Sequence, residues 1–167
     1  MEIGLSLGSN LGDRLALLAE ARRRILAIPG LTLTAQASVY ETEPVGVAPA
    51  FSELLYLNTV LIVESAPDVP ALSRRLHAIE DRMGRRRGPD RNSPRPIDID
   101  ILYADGLRLA TAEVRVPHPR WKERRFVVQP LAEVRPDLAL PGEPRTVGEV
   151  LRSLPEGPRV ACFTKQW

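Results

Sequence analysis

Cysteine is nearly absent: Cys162 is the only one in 167 residues. That excludes an intrachain disulfide and a cysteine-based zinc site, and it suits a reducing compartment. No apolar run approaches the roughly 20 residues of a membrane span. Met1-Glu2-Ile3-Gly4 has neither the basic start nor the apolar stretch of a secretory leader. A cytoplasmic chain without membrane association is expected. Lysine is also scarce, with Lys122 and Lys165 alone among 23 basic residues, so the positive charge is carried by arginine. Arginine is the planar, permanently charged binder of phosphate oxygens. The net charge of +2 is too small for nonspecific binding to nucleic acid, yet Arg85, Arg86, Arg87, Arg91 and Arg95 crowd into eleven positions.

What is present suits a single domain spanning 1–167, with 44% hydrophobic and 26% charged residues. Ile3, Leu5 and Leu7 alternate with Gly4 and Ser6 as in a strand. Gly8-Ser9-Asn10 reads mainly as a turn, since it lacks the remainder of a phosphate loop. Leu11, Leu15, Leu18, Arg22 and Ile25 follow helical spacing up to Pro29-Gly30, and Leu31 to Val39 reads as one strand. Residues 42 to 54 form a loop punctuated by Pro44, Gly46 and Pro49. Tyr56 to Val63 is a strand, and Asp68 caps a helix with the apolar stripe Leu72, Leu76, Ile79 and Met83. Arg85 to Pro96 is a basic, breaker-rich loop. Ile97 to Tyr103 is a strand followed by a tight turn at Asp105-Gly106, with Val114 and Val116 placed to extend the sheet. A helix from Pro119 is disturbed near Pro130. Thr146 with Glu149 makes a capping box, and Val160 to Phe163 is a last edge strand. Short turns between strands favour an α+β fold, a central antiparallel sheet with helices packed on it.

The sharpest feature is Arg95-Pro96-Ile97-Asp98-Ile99-Asp100-Ile101. On a strand the isoleucines share one face and Asp98 and Asp100 the other, with the carboxyl-bearing residues about 6.5 to 7 Å apart. Their repulsion is roughly 3 kcal/mol at an effective dielectric of about 20. Folding alone gives no reason to keep it, and a divalent cation relieves it. Hard oxygen ligands without histidine or cysteine nearby in the sequence favour Mg²⁺ shared with substrate phosphates. A D-x-D pair can also be only the polar face of an amphipathic strand. Here five arginines precede it, and carboxylates with arginines are what phosphoryl transfer needs. His118 lies between Pro117 and Pro119, either as a hydrogen-bonded corner or as a phosphate contact beside Arg124. His77 and Glu80 stand off the apolar stripe of their helix. Tyr56 and Asn58 share a strand face that could hold a flat heterocycle or be an ordinary cross-strand pair.

Leu7-Gly8-Ser9-Asn10-Leu11-Gly12-Asp13-Arg14, Tyr40-Glu41-Thr42-Glu43-Pro44-Val45-Gly46, Tyr56-Leu57-Asn58, Pro94 to Ile101, Val116-Pro117-His118-Pro119-Arg120 and Glu123-Arg124-Arg125-Phe126 occur in that order. Together they resemble the 6-hydroxymethyl-7,8-dihydropterin pyrophosphokinase family of folate biosynthesis. The resemblance implies a ferredoxin-like fold and transfer of the diphosphate of ATP, as co-substrate, to the pterin hydroxymethyl group, leaving AMP. It implies two Mg²⁺ ions on Asp98 and Asp100, with Arg85 and Arg95 acting on the phosphates. It implies ATP contacts from His77, Glu80, Arg87, Arg95, Ile101, His118 and Arg124, and a pterin pocket of Thr42, Val45, Tyr56, Asn58 and Phe126. Small-molecule substrates, no nucleic acid and a monomeric state follow from the same resemblance. The chain departs from the family at Asn92-Ser93, where a Trp-Gly pair is usual, and in a longer loop between Thr42 and Tyr56.

Two rival readings have distinct marks. A polymerase-β-type nucleotidyltransferase also uses Gly-Ser and D-x-D, but on adjacent elements rather than some ninety residues apart. An RNA-binding ferredoxin-like module stacks bases on strand aromatics; Ile3 to Leu7 has none, and aromatics are 5% of the chain.

Overall fold

Alternation along the first ten residues becomes strand β1 (Glu2–Ser9), with Ile3, Leu5 and Leu7 fully buried. The structure, a computed structural model, describes residues 1–46, 48–65, 68–86 and 94–167. After β1 come α1 (Arg14–Leu26), β2 (Thr32–Gln36), β3 (Val39–Thr42), β4 (Tyr56–Glu64), α2 (Val69–Arg82) and β5 (Asp98–Ala104). The sheet runs β5-β1-β4-β3, with β2 also on β4 and β8 (Val160–Thr164) outside β3, and every pair is antiparallel. Strand-helix-strand-strand-helix-strand with the last strand beside the first is the ferredoxin-like arrangement, so the α+β expectation is met.

Helices cover both faces. α1 and α2 start where aspartate accepts the first free N–H groups: Asp13 from Ala16 at 3.1 Å and Asp68 from Ala71 at 2.9 Å. Leu18, Ala21 and Ile25 of α1 and Leu72, Leu76 and Ile79 of α2 pack on Ile3, Leu5, Leu7, Ile97, Ile99 and Ile101. Burial of each leucine or isoleucine among them contributes about 1.5–3 kcal/mol. The opposite face carries Val60, Ile62, Leu102 and Tyr103 and is covered by α3 (Arg125–Val134) and α4 (Val147–Ser153) together with Trp121. The capping box at Thr146 and Glu149 is formed in both directions.

Five local expectations need correction. α1 begins at Arg14, leaving Leu11 46% exposed ahead of it. The strand expected over 31–39 is split into β2 and β3, because Glu133 of α3 accepts the N–H and hydroxyl of Ser38 at 3.0 and 2.7 Å and draws that residue out of the ladder. Alternation along β5 stops at a bulge, so Leu102 and Tyr103 both enter the second core. Val116 does not extend the main sheet: β6 (Leu109–Ala110) and β7 (Arg115–Val116) form a separate two-stranded ribbon. The helix expected from Pro119 begins instead as α3 at Arg125, after a short 3-10 turn at Trp121–Glu123, and Pro130 lies within it with its ring buried.

Candidate active site

The site follows from register. Ile97, Ile99 and Ile101 occupy the core under α1 and α2, so Asp98 and Asp100 emerge on the α3 face. Across the sheet, Asp98 is opposite Gly8, Gly8 is opposite Asn58, and Asn58 is opposite Tyr40. One row further, Tyr56 is opposite Thr42 and Thr42 is opposite Val160. Asp98 and the strand residues Asn58, Tyr56 and Thr42 therefore share one sheet face, with Gly8 between Asp98 and Asn58, while Asp100 lies beside Ser6.

Asp98 is held by two arginines. Arg85 donates to its Oδ1 and Arg95 to its Oδ2, the latter at 3.0 Å. Arg85 also donates to Oε1 of Glu80, which accepts the backbone N–H of Ile99 at 2.7 Å. Glu80 is 1% exposed at the foot of α2. The anionic partners Asp98 and Glu80 outweigh burial and raise the Arg85 pKa further above its ordinary value. Arg95 is fixed by its backbone: Asn10 Oδ1 accepts its N–H at 2.8 Å, and the Asn10 N–H donates to its carbonyl at 3.3 Å. Sequence reading missed this role. Gly8 and Ser9 belong to β1, and Asn10 reaches across to brace an arginine rather than shaping only a turn.

Asp100 is more open, with 43% of its side chain exposed against 29% for Asp98. Partial burial and then the adjacent Asp98 charge push its pKa up. A bound cation would remove that repulsion, and an all-oxygen pair of this kind fits Mg²⁺. His118 Nε2 is 4.0 Å from Asp100 Oδ2. Its Nδ1 accepts the Arg120 N–H at 3.2 Å, which assigns the ring proton to Nε2, and its own N–H donates to Leu102 at 2.8 Å. Burial, then Arg124 and Arg120, lower the His118 pKa to about 4, so the ring is neutral at pH 7. Arg124 completes the cationic rim: it feels both aspartates and stands with its Cζ 5.6 Å from the Phe126 ring centroid.

Beyond Gly8, Asn58 donates to Thr42 Oγ1 at 2.7 Å. Tyr56 is half-buried within the field of Arg95 and Asp98. Thr42, Val45 and Phe126 line one pocket. Arg14 braces the return to β4, donating to the Leu55 carbonyl at 3.0 Å and to Glu41 at 2.9 Å. Not every expected residue converges. Ile101 is 6% exposed in the core under α2, so its side chain faces away from Asp100. His77 lies on the exposed surface of α2. Arg87 and the Asn92-Ser93 departure lie outside the described residues.

Carboxylates clamped by arginines stand beside polar and aromatic side chains on a ferredoxin-like sheet, an arrangement suited to phosphate chemistry. Residues 4–136 match the family model of 7,8-dihydro-6-hydroxymethylpterin-pyrophosphokinase (HPPK), and the chain belongs to that family. A Methylorubrum extorquens protein named 2-amino-4-hydroxy-6-hydroxymethyldihydropteridine pyrophosphokinase is 38% identical over 150 residues, 90% of this chain and 91% of that one. A Bacillus subtilis protein of the same name is 36% identical over 130 residues, 78% of this chain and 75% of its own. The fold is also similar to Plasmodium falciparum HPPK-DHPS solved with pteroate, with a TM-score of 0.70 and 12% identity over 90% of this chain. The match covers 42% of that longer chain.

Proposed function

We propose that this protein transfers the β,γ-diphosphate of ATP to the hydroxymethyl group of 6-hydroxymethyl-7,8-dihydropterin, giving the pterin methyl diphosphate and AMP. The observation that carries the reading is the shared sheet surface: Asp98, held by Arg85 and Arg95, has a single strand between it and Asn58, crossed at Gly8. Family membership supports the same chemistry.

In this reading the pterin stacks on Phe126, with Asn58 and Thr42 meeting its polar edge and Tyr56 and Val45 flanking it. The triphosphate lies along Arg85, Arg95 and Arg124, with the neutral His118 ring donating from Nε2. Asp98 and Asp100 would hold two Mg²⁺ ions, which when bound neutralise phosphate charge and polarise the P–O bonds. The pterin hydroxyl oxygen attacks the β-phosphorus, its proton passes to solvent, and the bond from the β-phosphorus to the oxygen retained by AMP breaks. A loose transition state of this kind is accelerated by positioning and charge neutralisation rather than by a covalent intermediate. Glu80 and Asn10 act behind the arginines, holding one guanidinium and the other backbone in place. Ile101 contributes through its backbone alone.

Product analysis tests the reading. ATP, Mg²⁺ and hydroxymethyl-dihydropterin should yield AMP and a pterin diphosphate. Pyrophosphate with a nucleotidylated product would instead make the protein a nucleotidyltransferase.

A further inference from the structure

The family match ends at residue 136, yet half of the pocket that begins at Thr42 and Phe126 is built from later residues. Its volume is about 70 Å³, and its far side is formed by Leu154, Pro158 and Val160. Val160 is the cross-strand partner of Thr42, so its side chain emerges on the same face as Thr42 and Asn58.

This segment is fastened twice, each time to a residue next to an expected pterin contact. Arg125, between Arg124 and Phe126, donates through Nη1 to the carbonyls of Leu154 and Pro155 at 3.3 and 3.1 Å. Glu43, directly after Thr42, donates its N–H to the Arg159 carbonyl at 3.3 Å and accepts the Arg159 N–H on Oε2 at 3.2 Å. Two carbonyls on one guanidinium and a reciprocal pair at Glu43 fix the distance between the wall and the first turn of α3.

We infer that Leu154–Val160 is the outer wall of the pterin pocket and sets its width, with Arg125 and Glu43 as positioning residues. The inference rests on the proposed function and deepens it: selectivity for the flat heterocycle is set in part by residues beyond the family-matched region. The apolar side chains Leu154, Pro158 and Val160 suit a heteroaromatic ring; Arg124 stands at the edge of the pocket toward Asp98, and Arg85 and Arg95 lie outside its lining.

The test is calorimetric binding of 6-hydroxymethylpterin in the presence of Mg²⁺ and α,β-methylene-ATP. Val160→Phe narrows the pocket and should weaken pterin binding at least tenfold, while the nucleotide analogue alone binds within twofold of wild type. Arg125→Gln, which removes the fastening to the carbonyls, should raise the KM for the pterin severalfold with the KM for ATP unchanged. Should Val160→Phe lose its circular dichroism signature, Leu154→Ala replaces it, with at least a threefold loss of pterin affinity expected. Wild-type pterin affinity in the folded wall variants overturns the wall assignment and leaves the proposed function standing. A wild-type protein that binds no pterin overturns both.

Discussion

The backbone N–H of Ile99 donates to the carboxylate of Glu80 at 2.7 Å, so the peptide between Asp98 and Asp100 is pinned to α2 by a side chain that is 1% exposed. The same Oε1 accepts from Arg85. One buried oxygen therefore sets both the height of the acidic strand and the direction of a guanidinium. Glu80→Ala leaves the Ile99 N–H without that partner and should cost about 1–3 kcal/mol of stability. Glu80→Gln keeps an acceptor of the same shape but removes the charge that draws Arg85. It should retain most of the thermal stability while kcat falls about tenfold or more, as read by melting curves and initial rates. A Gln variant with full kcat would remove the orienting role.

Gly8 is the floor between the two halves of the site. A Cβ there would stand 2.7 Å from Asn58 Oδ1, closer than side-chain atoms tolerate. Gly8→Ala must displace Asn58 and disturb its 2.7 Å bond to Thr42. The expected result is a pterin KM raised about fivefold or more, an ATP KM within about twofold of wild type, and a stability loss of about 1–3 kcal/mol. Steady-state kinetics with each substrate varied in turn checks this, and an unchanged pterin KM contradicts it.

Glu143 tests the electrostatics of the scaffold away from the chemistry. Hydrogen bonds from Arg145 and then Lys122 lower its pKa to about 2. A carboxylate depressed in the folded state stabilises the fold above its unfolded pKa of about 4.3, and that contribution is lost as pH falls toward the folded value. The Tm of wild type should exceed that of Glu143→Gln at pH 7, and the gap should close progressively below about pH 4.5. A gap that stays constant down to pH 3 contradicts the assignment.

The parts of this molecule legible in the sequence are those governed by near neighbours. Asp68 caps α2, Thr146 and Glu149 close a capping box, and the Ile-Asp-Ile-Asp-Ile alternation sends Asp98 and Asp100 to one face, as residue spacing alone requires. What escaped depends on contacts distant in sequence. The break between β2 and β3 is made by Glu133, 95 positions beyond Ser38. Asn10 supports Arg95 from 85 positions away, so its motif reads locally as a turn. Pro130 is tolerated in α3 because its ring is buried, a fact of packing that proline's local preferences do not contain. Glu80 stood off the apolar stripe and read as either surface or substrate-facing; its burial and its bond to the Ile99 N–H come from β5, a contact that spacing along the helix does not contain. The C-terminal segment carries no motif; the pairing of Val160 with Thr42 and the bonds to Arg125 and Glu43 bring it beside Phe126.

The most direct test of the account is Mg²⁺-dependent AMP release from ATP and hydroxymethyl-dihydropterin by wild type, Asp98→Asn and Asp100→Asn, each shown folded by its melting curve. These substitutions keep shape and remove the charge that, in the proposed function, holds the metal and draws the arginines. The account predicts robust release by wild type and a loss of about a thousandfold or more in kcat for either variant, consistent with the electrostatic share of such catalysis. Near-normal turnover by either variant would contradict it.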